Sequence, residues 1–148
     1  MLIIKLNIMY HFLQKFHSGW AYLALLLLVI TSIVALYGIV SKRQFTNTDR
    51  KIALFGLIGS HIQLVVGLIL YFVSPLGFQL LGNMEKQARL TSLEHPLINI
   101  IAIILITVGW SKHKTQLTDL AKFKKIAFFY GIGLVLITSR IPFNLWLK

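Results

Sequence analysis

The chain contains no cysteine. Iron–sulfur clusters, haem attached through a CxxCH motif, thiolate metal sites and disulfides are therefore excluded. Charge is scarce too. Asp, Glu, Lys and Arg make up only 13% of 148 residues, and just four of them are acidic. A soluble domain of this length needs far more charge to cover its surface. No small-residue cleavage site follows the apolar first stretch, so no removable signal peptide is expected. No internal repeat or broken helix is visible, which argues against a transporter. What is present is hydrocarbon: 57% hydrophobic residues and a mean hydropathy of +0.78. The chain reads as an integral membrane protein. Its formal charge of +11 sits in short loops between apolar runs. Topology explains those loops better than nucleic acid does, so no nucleic-acid partner is expected.

The runs predict an all-α membrane protein: a single four-helix transmembrane domain over residues 1–148, with spans at about 19–40, 52–73, 93–110 and 126–141. Each span approaches the roughly 20 residues a bilayer requires. Residues 1–18 are apolar but broken by Lys5, Asn7, His11, Gln14 and Lys15, and read as an interfacial lead-in. His11 is expected at the interface, and Trp20 and Tyr22 as belt aromatics. Ser92 is expected to cap the third span, with Pro96 tolerated in its first turn. Lys and Arg crowd the first and third connections and thin out in the second. The positive-inside rule then puts those basic loops in the cytoplasm and both termini outside, in a bacterial inner membrane. His113, in the third connection, is expected to be solvated.

The polar groups inside this hydrocarbon need a partner or a task. On a helix His17 shares a face with Ala21, Ala24, Thr31 and Ala35, and His95 with Asn99, Ala102, Ile106 and Gly109. Small residues mark the sides where helices approach closely, so both histidines look inward. His61 shares an apolar face with Leu54, Leu57, Val65, Leu68 and Phe72. The opposite side of that span, with Gly56, Gly59, Ser60, Gln63 and Gly67, is a small-residue seam suited to span one, span four, another subunit or a second copy. Arg89, Glu94 and Arg140 collect near the outer face with His17 and His95. For Glu94 the plain reading is a carboxylate favoured by a helix N-terminus.

Two inward histidines on different helices, with arginines beside them, suit a bis-histidine haem b. The imidazoles supply axial ligands, the bundle hosts the macrocycle, and Arg89 and Arg140 pair with its propionates. Cross-helix hydrogen bonding is the plain alternative. Counting helical rise sets His95 roughly 10 Å from both His17 and His61. His17 with His95 is the favoured pair because both open helices descending from the same face. His61 with His95 is the runner-up, and His61 is otherwise a contact for a second redox group or a quinone.

The segments HSGW, HIQLVVGLILYFVSP and EHPLIN, followed by a basic loop and a last helix ending in Arg140-Ile141-Pro142, resemble small four-helix bacterial membrane proteins labelled cytochrome b. QLVVG before an outer loop and Glu94-His95 after it also resemble, more distantly, one half of the haem A synthase bundle. In that family, haem ligands sit at the outer ends of two helices that enter from outside; His95 would match one such position, and His17 the other with the helix order permuted. The chain lacks that family's cysteine pair and has no arginine after the histidine, so the resemblance does not carry over the synthase activity. It implies a b-type cytochrome transferring electrons in or beside a respiratory chain. A cofactor-free scaffold or assembly subunit of a membrane complex is the alternative. A metal ion shared by the three histidines is a weaker option, since they spread in depth.

Overall fold

Four long helices form because the apolar runs, once out of water, must satisfy every backbone N–H and C=O internally. The structure, a computed structural model, describes the backbone of residues 2–147 and the side chains of residues 7–147. Helix α1 is Leu2–Ser41, α2 Asn47–Val73, α3 Lys86–His113 and α4 Asp119–Ser139; a short α5, Phe143–Trp146, follows. They pack as a ring in which α1 and α3 each touch α2 and α4, so α1 and α3 stand diagonally across the bundle. Helices α1, α2 and α3 are each long and apolar enough to cross a membrane. Helix α4 carries Lys122, Lys124 and Lys125 in its first two turns before its apolar stretch begins.

One end of the bundle is filled by Leu28, Ala35, Ala53, Ile106, Trp110, Phe123, Ile126 and Tyr130. Tyr130 is fully buried, and its hydroxyl donates to Ala53 O at 2.9 Å, giving the phenol the partner its burial demands. The seam on α2 faces α1. A Cβ at Gly56 would stand 2.8 Å from Thr31 Oγ1, one at Gly59 3.0 Å from Leu27, and one at Gly67 2.9 Å from the His17 ring. The close approach is made within the chain, so the seam does not call for another subunit.

Several sequence expectations change at the helix ends. Residues 7–18 are helical and continuous with the first span: α1 runs unbroken through them and through Gly19. At 40 residues it is about 60 Å long, twice a bilayer core. None of those residues is a proline, and local polarity alone does not stop a helix. His11 is exposed. Ser92 is no cap either. Helix α3 starts at Lys86, buries Ser92, and passes through one π-turn at Leu90–Glu94 before Pro96. Pro96 has no N–H to return to the Ser92 carbonyl four residues back; Tyr71 on α2 donates to that carbonyl at 2.9 Å instead. Glu94 therefore lies inside a helix, not at its start. His113 is buried, 2% exposed, because α3 continues to it. Its ring rests against Trp110 and Phe45, and Nδ1 donates to Trp110 O at 2.5 Å.

The turn into α2 is held by charge. Thr46 and Asp49 form a capping box, and Arg43 donates to both Asp49 oxygens at 2.5 and 2.7 Å. These groups precede the apolar run that starts at Ile52. Burial acts to raise the Asp49 pKa, but hydrogen bonds from Arg43 and Thr46 and the guanidinium charge outweigh it and hold the carboxyl at about 2. A carboxyl held this low stabilises the fold above its ordinary range near pH 4 and ceases to do so as pH falls towards 2. In detergent at pH 6, the wild type should melt several degrees above Asp49→Asn, each kcal/mol being worth roughly 2–4 °C in a chain of this size. That gap should close between about pH 4 and pH 2. A gap independent of pH would remove the ion pair as its cause.

Candidate functional site

The small residues on α1 and α3 leave room where larger side chains would meet. A partly open cavity of about 200 Å³ lies there, lined from all four long helices. His17 of α1 and His95 of α3 enter it from diagonal positions. Their ring centroids are 6.4 Å apart and their planes are nearly perpendicular, at 84°. The rise count had separated them by roughly 10 Å; starting α3 at Lys86 and carrying α1 past His17 brings the rings level.

Each ring is held differently. His95 Nδ1 donates to Arg140 O at 2.8 Å. A carbonyl only accepts, so the proton sits on Nδ1 and Nε2 keeps its lone pair. Asn99 Nδ2 donates to the His95 carbonyl at 2.6 Å. On the other side, Gln63 Nε2 donates to His17 O at 3.0 Å and lies 3.4 Å from His17 Nε2. Gly67 lets the His17 ring approach α2 closely, Cε1 foremost. Among the described residues, His17 Nδ1 and Gln63 Oε1 are buried with no hydrogen-bond partner, and both side chains line the cavity. Leaving such an atom unpaired costs about 1–3 kcal/mol.

His61 is elsewhere. Its Nδ1 bonds Leu57 O at 2.8 Å and its Nε2 lies 3.3 Å from Thr107 Oγ1 on α3. It does not line the cavity: it is half-buried, its Nδ1–H goes to a backbone carbonyl, and the Thr107 hydroxyl proton goes to Ile103 O at 2.7 Å. Glu94 bridges two arginines at the rim: Arg89 Nε lies 2.7 Å from one oxygen and Arg140 Nε 3.3 Å from the other. Both guanidiniums are close to half exposed. Sequence reasoning brought His17, His95, Arg89, Glu94 and Arg140 to one face, and the structure clusters them. It missed Gln63 as the partner of His17, although an amide in mid-span was itself a signal. It also missed Trp146, whose indole donates to Ser18 O at 3.0 Å and ties the C-terminal turn to α1 beside the cavity.

The donor set suits a metal held between two imidazoles. With metal–nitrogen bonds of about 2.0 Å, two facing rings across one metal have centroids roughly 6 Å apart. No group of three or more His, Asp or Glu side chains converges on a metal-sized point among the described residues, so a metal here would need other ligands, as a macrocycle provides. The cavity is below the ~300–1,000 Å³ typical of cofactor sites, so such a group would be only partly enclosed. Compared with protein-family models, curated proteins and solved structures, the chain matches none.

Proposed function

We propose that this protein is a small b-type cytochrome of the bacterial inner membrane, with haem b between His17 and His95. The observation that carries the reading is the ring pair itself: two imidazoles with centroids 6.4 Å apart and planes at 84°, both lining one apolar cavity, one with an unpartnered nitrogen and the other fixed in its tautomer by a backbone carbonyl. The second feature is the usual device for orienting a metal-bound histidine. Bound haem would supply one-electron transfer. The protein's part is to hold two neutral imidazoles, exclude water with Leu25, Leu28, Leu64 and Leu68, and leave one edge open to an electron donor or acceptor. A visible spectrum of the detergent-purified protein, oxidised and reduced, tests this directly. A folded but colourless protein, expressed with ample haem, would remove the reading.

The topology proposed with it rests on helix packing and the basic loops. Helix α4 packs between α1 and α3, and we place it across the bilayer as a fourth span, with the loops around Lys42–Lys51 and Lys112–Lys125 in the cytoplasm and both termini outside. Reporter fusions in either basic loop should score cytoplasmic; a periplasmic score would overturn this orientation.

Arg140 has two separable roles here. Its carbonyl orients His95, and its side chain pairs with Glu94. Arg140→Ala keeps the carbonyl, so the spectrum should be nearly unchanged. The midpoint potential should fall, because removing a nearby positive charge disfavours the reduced state. A lost α-band in Arg140→Ala would show that the side chain, not the carbonyl, holds the site.

A further inference from the structure

A second cavity, about 410 Å³, opens at the opposite end of the bundle, where α2 begins, α3 ends and α4 begins. Its wall includes Phe45, Asn47, Arg50, His113, Lys114 and Lys122, and no acidic residue. The basic loops carry many cations, but these three converge. Lys114 Nζ lies 4.7 Å and the Arg50 guanidinium 6.0 Å from the same Trp110 ring. Lys122 stands over Phe45 and is 3.3 Å from Asp119. Among the described residues, neither Arg50 nor Lys114 has an acidic partner. By contrast Arg43, in the connection before α2, is neutralised by Asp49. Like charges gathered without a counter-ion repel, and an anion between them relieves that repulsion. Thr46 and Asn47 add the start of α2, where the capping box occupies the Thr46 and Asp49 N–H groups and leaves those of Asn47 and Thr48 without intrahelical acceptors.

We propose that this pocket binds a phosphate group, supplied by the headgroup of an anionic phospholipid or by a soluble phosphate compound. The inference is independent of the haem reading. It places the cations around Trp110, where the apolar part of α3 ends and headgroups would lie. Arginine and lysine suit phosphate because each supplies several charged donors.

The test is native mass spectrometry of the detergent-purified full chain, incubated with phosphatidylglycerol, phosphatidylcholine or inorganic phosphate. Phosphatidylglycerol should stay bound at collision energies that strip phosphatidylcholine. A variant carrying Arg50→Gln, Lys114→Gln and Lys122→Gln should bind it at least about tenfold more weakly, each surface cation being worth up to about fivefold. A control with the same charge loss outside the pocket, Lys42→Gln, Lys51→Gln and Lys124→Gln, should lose less than about threefold. If inorganic phosphate binds and competes, the source is soluble; if only the lipid is held, the source is the headgroup. Equal losses in the two triple variants, or no preference over phosphatidylcholine and no phosphate bound, overturn the site. Should the pocket variant fail to fold, hydrogen exchange on the wild type decides. The Asn47 and Thr48 amides should be protected by phosphatidylglycerol or phosphate over phosphatidylcholine, and unchanged exchange with both overturns the proposal.

Discussion

His17→Ala and His95→Ala should each abolish the sharp low-spin α-band of the reduced protein, while His61→Ala keeps it. The asymmetry comes from where the ring nitrogens already point. His61 gives its Nδ1–H to Leu57 O, sets Nε2 beside Thr107 of α3 rather than beside another histidine, and lies outside the cavity. His17 has a buried nitrogen with no partner, and His95 presents a free Nε2 because Arg140 O takes its other N–H. If haem is held there, losing either ligand would open a coordination position, so the single variants should bind carbon monoxide where the wild type does not. His61→Ala instead leaves Thr107 short of one weak contact, a cost of about 1 kcal/mol, visible as a lower melting temperature rather than a changed spectrum. Loss of the band in His61→Ala, with the protein still folded, would transfer the site to His61 and His95.

A residue with no ligating atom should have nearly as large an effect. Gly67→Leu should remove the pigment while leaving the helix content intact. A Cβ at Gly67 would meet His17 Cε1 at 2.9 Å, so any side chain there displaces the imidazole from its position beside His95. Gly67→Ala should weaken haem retention and Gly67→Leu should eliminate it. Gly56→Leu provides the contrast. Its Cβ would crowd Thr31 and Tyr130, away from the cavity, and overpacking of that kind costs typically 1–3 kcal/mol. The folded fraction should drop, and the molecules that fold should remain coloured. Gly131→Ala, with open space around its Cβ, should disturb neither property. If Gly67→Leu stays fully pigmented, the His17 ring does not depend on that contact and the coupling is wrong.

The outer cluster shows how far side-chain spacing carries. His17 with Ala21, Ala24, Thr31 and Ala35 is one stripe, and Ala24, Thr31 and Ala35 are all buried. His95 with Asn99, Ala102 and Ile106 is another, ending in two residues with no exposure at all. Helical period and small-residue content identified both inward faces because a helix repeats the same geometry at every turn. The glycine seam on α2 was equally visible. Its partner was not, since a small residue says only that something comes close.

Sequence by itself determined the class of this protein, its long apolar helices and which faces of those helices seek company. These are local properties, set by hydropathy and a fixed helical period. Tertiary structure decided what each face meets. It continued α1 through residues 7–18, and it buried His113 under Phe45 and Trp110. It laid Gly67 against His17 and paired His61 with Thr107. It also set His17 and His95 diagonally across one cavity. Those outcomes depend on helix ends and on relative axial shifts of a few ångströms. A residue or two at a terminus moves a side chain by 1.5 Å per residue, and only packing between helices fixes that offset.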